Sequence, residues 1–512
     1  MKLILLLTTT ISKSNKIFSV DLQKILKLVL MSIIMCSILL SHNSIRILKD
    51  SIVIQDFGAE AISFIKLWLE IPFVTGFIFV YYWLYNRFSV EKIFRIVISS
   101  YVAFYLLFAF ELYPNRSYYH MDDNNLTNII SMLPNFKWFL VIFGNWSITL
   151  FYLFGETWPT IAFSLLFWQL ANKITTLNES KTIYPYFNFL GQINLLVAGY
   201  VVQNLSKSFI VHFFVNSDDT KLVNLQSIVV FVSFLGFLVI FSHYLLEKIV
   251  LRKQFEALKK ESLLLNKIGV YDSIKLVIKN KTLILISISI ISYHVCVNLI
   301  EGIWFTKAFE FYSSSEKFIA YQGKVLLYTG ICGIAFAFLS RYLLIYFKWL
   351  VSAIITPYIV LILGSAFFIV VILVSRFELS SESYYLHLIV LLGLTQNVLI
   401  KGSKYGIYDS VKEMQYIPLD ENIKSRGKAA VDVISTKVGK ALGSLCQFIV
   451  FFIFPSMSIN DIDFLLFIFF LFSSFAWIHA TRKLGKMIDI NSLLVPDVTV
   501  THVKKSTVSN VT

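Results

Sequence analysis

The sequence predicts an all-α integral membrane protein of about twelve transmembrane helices arranged as two six-helix bundles. Three observations carry this: bulk composition, long uninterrupted apolar runs, and basic residues gathered into a few segments. Of 512 residues, 57% are hydrophobic and 15% charged. A water-soluble chain of that length would expose one continuous apolar surface. In a bilayer the lipid is the solvent, and backbone polar groups must pair internally, which leaves helices or closed barrels. Runs such as DFLLFIFFLFSSFAWI are too long and too continuous for barrel strands. Helices remain.

A spanning helix needs about 20 mostly apolar residues. On that ruler the first half offers Leu26–Ile45, Ala61–Leu84, Ile93–Leu112, Phe139–Leu170, Tyr186–Leu205 and Ile228–Leu246. The second half offers Leu283–Phe305, Phe318–Leu339, Leu350–Val374, Leu386–Ile400, Val431–Phe454 and Phe464–Ala480. The fourth run is long and is expected to begin outside the bilayer, near Asn135. The tenth is short and runs into Gly402 and Ser403, which suggests a break or a loop dipping inward. Met1–Ile11 opens like a signal peptide, but its apolar core is short and no small-residue cleavage site comes after it.

The net charge of +14 reflects loops rather than a nucleic-acid surface, since no basic module interleaved with aromatics is visible. Nucleic acid is therefore excluded as a partner, and the lipid bilayer takes its place. Basic residues concentrate in the amino-terminal segment (Lys13, Lys16, Lys24, Lys27), between the sixth and seventh runs (Lys248 to Lys281), and after the twelfth (Arg482, Lys483, Lys486, Lys504, Lys505). With an even number of helices these three share one side, so both termini are expected in the cytoplasm. The resulting division is a cytoplasmic segment at 1–25, a six-helix bundle at 26–246, a basic amphipathic linker at 247–282, a second bundle at 283–482 and a cytoplasmic tail at 483–512. Six helices, a basic linker and six more match the architecture of the major facilitator class by analogy of helix count.

A charge at mid-bilayer costs at least ~2.5–3.5 kcal/mol, so it persists only with a partner, a wet cavity or a function. Lys66 in FGAEAISFIKLWLEIP, Glu156 in YLFGETWPTIAFSLLFW and Glu301 in CVNLIEGIWF stand out on that ground. Lys428, preceded by Arg426 in KSRGKAAVDVIS, lies at the entrance to the eleventh run. Each has a bland alternative, an internal salt bridge or a side chain reaching the interface. Arg46, Lys49, Tyr405 and Arg426 are secondary candidates. Lysines in a central cavity attract anions; glutamates accept from sugar hydroxyls or base amines, or hold the lysines once the anion has left. The segment Lys401–Lys440 carries many ionisable groups together with Tyr405, Tyr408 and Tyr416. These rings can stack on a base, although at least one is expected in the interfacial aromatic belt.

The stretches GAEAISFIKLW, GETWPTIAFSLLFWQLANKIT, ESKTIYPYFNFLGQINL, NLIEGIW and KYGIYDSVKEMQYIPLDENIKSRGKAAVDV together resemble the ATP/ADP translocase family. These are the nucleotide transporters of obligate intracellular bacteria and plastids, and the resemblance runs from about Ser44 to Leu484. It implies a paralogue from an obligate intracellular bacterium, in the inner membrane, with the family's critical charges at Lys66, Glu156, Glu301 and Lys428. It also implies nucleotide exchange or proton-linked uptake, with lysines favouring the phosphates. The chain departs from the family pattern at Pro159 after Trp158, at Phe305 after Trp304, and in GKALG at Gly439–Gly443.

No G-x-x-x-x-G-K-[ST] segment is present, so no phosphate-cradling loop of an ATPase is expected. No cofactor motif appears either. The four cysteines and eight histidines lack metal spacing, and His294 is expected to be structural. Transport should then run on gradients. The expected function is secondary transport of nucleotides by alternating access. The alternatives are another organic anion on the same scaffold, or a membrane-embedded enzyme acting on lipid phosphates. Oligomeric state is left open.

Overall fold

Backbone amides in lipid must bond within their own segment, and the chain obeys this almost throughout. The computed structural model describes residues 16–175, 177–205, 220–250, 277–377, 383–416, 419 and 421–494, and no strand occurs among them. Twelve long helices succeed one another. In the first half they are α1 (Lys16–Asp56), α2 (Glu60–Tyr85), α3 (Val90–Leu112), α4 (Trp146–Ile174), α5 (Leu177–Leu205) and α6 (Thr220–Leu245). In the second they are α7 (Lys281–Tyr312), α8 (Ser315–Tyr346), α9 (Trp349–Arg376), α10 (Ser383–Met414), α11 (Glu421–Ile453) and α12 (Asp463–Leu494).

Eleven helices among the described residues are long and apolar enough to cross a membrane. The remaining long helix is α5, whose hydropathy is lowered by the amides of Asn188, Gln192, Asn194, Gln203 and Asn204. It is shielded because it packs on α1 and, across the two halves, on α8. The crossing is close. A Cβ on Gly199 would lie 2.5 Å from the Leu327 nitrogen and 2.6 Å from the Gly323 oxygen. Only glycine admits that backbone approach, the means by which membrane helices gain contact where no hydrophobic drive exists.

Four local departures from the sequence-based boundaries have physical reasons. The first helix continues from Ile45 through Arg46, Lys49 and Asp50 to Asp56, because those charges meet partners inside the protein. The fourth run divides at Asn145 into a short helix, Lys137–Gly144, and α4. The tenth does not break at Gly402: Gly402 and Gly406 lie against Cys332 and Phe336 of α8, and the helix passes through a π-helical turn at Lys404–Tyr408. The twelfth extends into the segment expected as a tail, ending at Leu494. The amphipathic linker expected at 247–282 falls largely on residues 251–276, outside the described set, as do residues 1–15 and 495–512.

Within each half the helices pack locally: α1 on α4, α5 and α6, and α7 on α10, α11 and α12. Across the halves, α5 meets α8 and α2 meets α11. Buried indoles pin these helices together. Trp158 donates to the Ile38 carbonyl at 3.1 Å, and Trp304 donates to the Tyr321 hydroxyl at 3.0 Å. Tyr321 in turn donates to the Val390 carbonyl at 3.0 Å. Buried Trp and Tyr need such partners.

Candidate functional site

A cavity of about 330 Å³ opens between the halves. Six helices line it among the described residues: α1 (His42, Arg46, Lys49, Asp50), α2 with the residue before it (Ala59, then Ile62, Ser63, Lys66), α4 (Glu156, Pro159, Thr160, Ser164), α7 (Tyr293 to Phe305), α10 (Lys401, Lys404, Tyr405) and α11 (Thr436, Lys440, Gln447). Three π-helical segments, Ile65–Leu69, Pro159–Phe167 and Lys404–Tyr408, contribute to the wall. A π turn shifts the register of the helix beyond it and recurs at functional sites. In α4 it accommodates Pro159, which lacks the amide an α-helix would use there.

Two ion clusters occupy the cavity wall. Glu156 accepts from Lys49 at 2.9 Å and from Lys440 at 2.8 Å, joining α1, α4 and α11. Lys49 is almost fully buried; it also reaches Asp50 at 2.7 Å, and its ammonium lies 3.7 Å from the centre of the Tyr152 ring. Its stem passes directly over Gly155, where an added Cβ would lie 2.7 Å from the Lys49 Cδ. Glu301 accepts from Lys401 at 2.6 Å and has Arg46 at 3.7 Å, joining α7, α10 and α1. Charges this buried stand only because each is paired.

Lys66 is different. It faces the same cavity but has no ion pair or hydrogen bond among the described residues. The glutamates flanking it in sequence turn elsewhere: Glu70 pairs with Lys437, and Glu60 accepts from the Ile459 amide at 3.0 Å. Among the described residues the lining thus carries six cations (Arg46, Lys49, Lys66, Lys401, Lys404, Lys440) against three carboxylates (Asp50, Glu156, Glu301). Such a chamber attracts a polyanion.

Of the residues expected from the sequence, Lys66, Glu156, Glu301, Arg46, Lys49 and Tyr405 come together here. Lys428 and Arg426 fall in the part of α11 whose side chains lie outside the described residues. Tyr408 and Tyr416 are not among the described residues that line the cavity. Tyr408 packs against Tyr293 and Trp477, and Tyr416 donates to Asp432 at 3.2 Å. His294, expected to be structural, lines the cavity, as does His42. Sequence reasoning passed over Lys401, Lys404, Lys440 and Asp50. The signal for Lys401, Lys404 and Lys440 lay in the ionisable stretch Lys401–Lys440, which mixes cavity residues with lysines paired elsewhere, Lys412 with Asp432 and Lys437 with Glu70.

A family model described as "TLC ATP/ADP transporter" matches residues 8–488. "ADP,ATP carrier protein 4" of Rickettsia felis is 36% identical over 482 residues, covering 92% of this chain and 94% of that relative. "ADP,ATP carrier protein 3" of Rickettsia conorii is 35% identical over 475 residues, covering 91% and 95%. Among solved structures, a bacterial homologue of the iron transporter ferroportin in an inward-facing state aligns with a TM-score of 0.54 at 12% identity, covering 89% of this chain and 98% of that one. A D-xylose-proton symporter aligns with a TM-score of 0.51 at 12% identity, covering 90% and 96%. These two share the fold, that of major-facilitator-type transporters. A match across nearly the whole chain, joined to a cationic cavity between two helical halves, leaves one conclusion: the chain belongs to the TLC ATP/ADP transporter family.

Proposed function

We propose that this transporter carries nucleotides through the central cavity by alternating access, exchanging ATP for ADP or moving other nucleoside di- and triphosphates. In this reading the phosphates bind Lys66 first and then draw Lys49, Lys401 and Lys440 from their glutamates. Glu156 and Glu301 take those lysines back when the cargo leaves, so the empty carrier never holds bare charge in a low-dielectric wall. Lys428 and Arg426 enter the same reading through the family resemblance, as further phosphate contacts. The membrane is a bacterial inner membrane, with both termini cytoplasmic.

One observation carries this proposal. Among the described residues six cations meet three carboxylates around one void, and the lysine without a described partner, Lys66, sits among them. A cation would meet an excess of positive charge in such a lining, and a neutral sugar would leave that excess unanswered. Purified protein in liposomes should take up labelled nucleotide, faster with unlabelled nucleotide inside, and leave it chemically intact. Inorganic tripolyphosphate should compete. Uptake of some other organic anion with no nucleotide uptake would remove the assignment.

A further inference from the structure

The described charges of the lining are Arg46, Lys49, Asp50, Lys66, Glu156, Glu301, Lys401, Lys404 and Lys440, and beside them stand the uncharged Ile62, Ser63, Asn298, Gly302, Phe305 and Gln447. A polyphosphate has little use for these uncharged side chains. On α11, Gln447 stands seven residues beyond Lys440, about 10 Å along the helix at 1.5 Å per residue. The interval leaves room for a ribose between a phosphate at Lys440 and a ring at Gln447.

Gln447 is 3% exposed. Its Oε1 accepts from the Ser63 hydroxyl of α2, which fixes the carboxamide across the two halves. Its Nε2 is buried and has no hydrogen-bond partner among the described residues. Buried amide donors are nearly always satisfied, so an orphan one on a cavity wall marks a place for something that visits. Turning the amide over does not remove the orphan: Ser63 donates or accepts equally well, and the other polar atom is then left unpaired. Gly302 makes the space, since a Cβ there would lie 3.2 Å from Nε2. Phe305 supplies an apolar aromatic wall in the same recess, its ring braced by Trp304 at 5.1 Å and Phe318 at 6.2 Å between centroids.

We propose that the uncharged group around Gln447 is a nucleobase subsite, in which the Gln447 carboxamide held by Ser63 hydrogen-bonds the polar edge of the base and Phe305 supports its apolar face. The inference rests on the nucleotide reading above and adds the residue that sets base preference. Glutamine can match a base edge with one donor and one acceptor, and an edge with the wrong polarity leaves a buried group unpaired.

The test is competition against a bound labelled nucleotide by ATP, GTP, CTP, UTP and inorganic tripolyphosphate, using the full chain. The wild type should rank the four bases clearly. Gln447→Leu should compress that ranking and weaken the best nucleotide roughly two- to tenfold, the worth of one neutral hydrogen bond, while tripolyphosphate competes as before. Ser63→Ala, which releases the carboxamide without removing it, should blur the ranking less, and it keeps the test alive if Gln447→Leu fails to fold. The proposal is overturned by an unchanged base ranking in both variants. It is equally overturned by a parallel loss for tripolyphosphate, which would mean that Ser63–Gln447 is only a strut between α2 and α11. Tripolyphosphate failing to compete with the wild type, with base ranking present and dependent on Gln447, would instead fault the phosphate reading and leave the subsite standing.

Discussion

At the scale of single residues, the cavity separates a lysine that waits from lysines that are held. Lys66 breaks no ion pair when removed, so Lys66→Ala should leave the thermal midpoint close to wild type. It should weaken nucleotide binding about tenfold or more, the worth of a charged contact of 1.5–3 kcal/mol, with a larger loss for triphosphates than monophosphates. Equal losses for all phosphate numbers, measured by competition, would show that Lys66 does not meet the phosphates. Glu301 behaves in the opposite sense. Glu301→Gln leaves Lys401 and Arg46 without their counter-charge, which destabilises the empty carrier by up to about 3 kcal/mol. Saturating nucleotide or tripolyphosphate should raise the midpoint of this variant more than it raises the wild type, because the polyanion replaces the missing carboxylate. An equal shift in the two proteins would argue that Glu301 is not a stand-in for phosphate. Lys66, Glu156 and Glu301 were legible in the sequence because an ion flanked by apolar residues is costly enough to demand a reason. Their partners were not legible. Lys401 and Lys404 sit where a helix meets polar sequence, and such lysines ordinarily mark an interface. Pairing across such long stretches of chain leaves no local trace.

At the scale of elements, spans were legible and their ends were not, since a hydropathy ruler stops at the first charge whether or not that charge has a partner. Arg46 therefore ended the first helix well before Asp56, and Lys401 ended the tenth before its π turn. The α5 helix shows the reverse case, a poorly hydropathic helix kept in place by contact with α1 and α8. That contact makes a sharp prediction. Gly199→Ala would force its Cβ into the backbone of α8, where Leu327 and Gly323 lie at 2.5 and 2.6 Å. Backbone cannot step aside as a side chain does, so the cost should be about 1–3 kcal/mol. On the same helix, nothing lies within 4 Å of a Cβ on Gly191, and Gly191→Ala should be neutral or slightly stabilising. Thermal unfolding of the purified variants checks the pair. Similar midpoints for both would mean that α5 and α8 do not cross as closely as described.

At the scale of the whole molecule, the halves meet where α5 crosses α8 and again where the start of α2 meets α11. There Phe64 and Trp68 of α2 pack with Phe448 of α11 at centroid distances of 4.9 and 5.6 Å, and Phe139 of the short helix before α4 closes on the same group. Asn135 adds a hydrogen bond to the Phe452 carbonyl at 2.9 Å. The sequence could announce two bundles, but not that aromatic rings from both would pack against one another, because side chains so distant in sequence share no periodicity. If the cargo passes between these rings, they must part in every cycle. Trp68→Cys with Phe448→Cys, in a chain whose Cys36, Cys296, Cys332 and Cys446 are replaced by Ser, puts one thiol on each half. Joining them with a short cleavable reagent should abolish nucleotide exchange in liposomes, and cleavage should restore it. Phe104→Cys with Phe154→Cys is the control: both rings belong to the first half and stack at 3.9 Å, so the same reagent should leave exchange running. Full cross-linking of Trp68→Cys to Phe448→Cys with undiminished exchange would mean that the halves do not separate there, and that the cargo takes another way out.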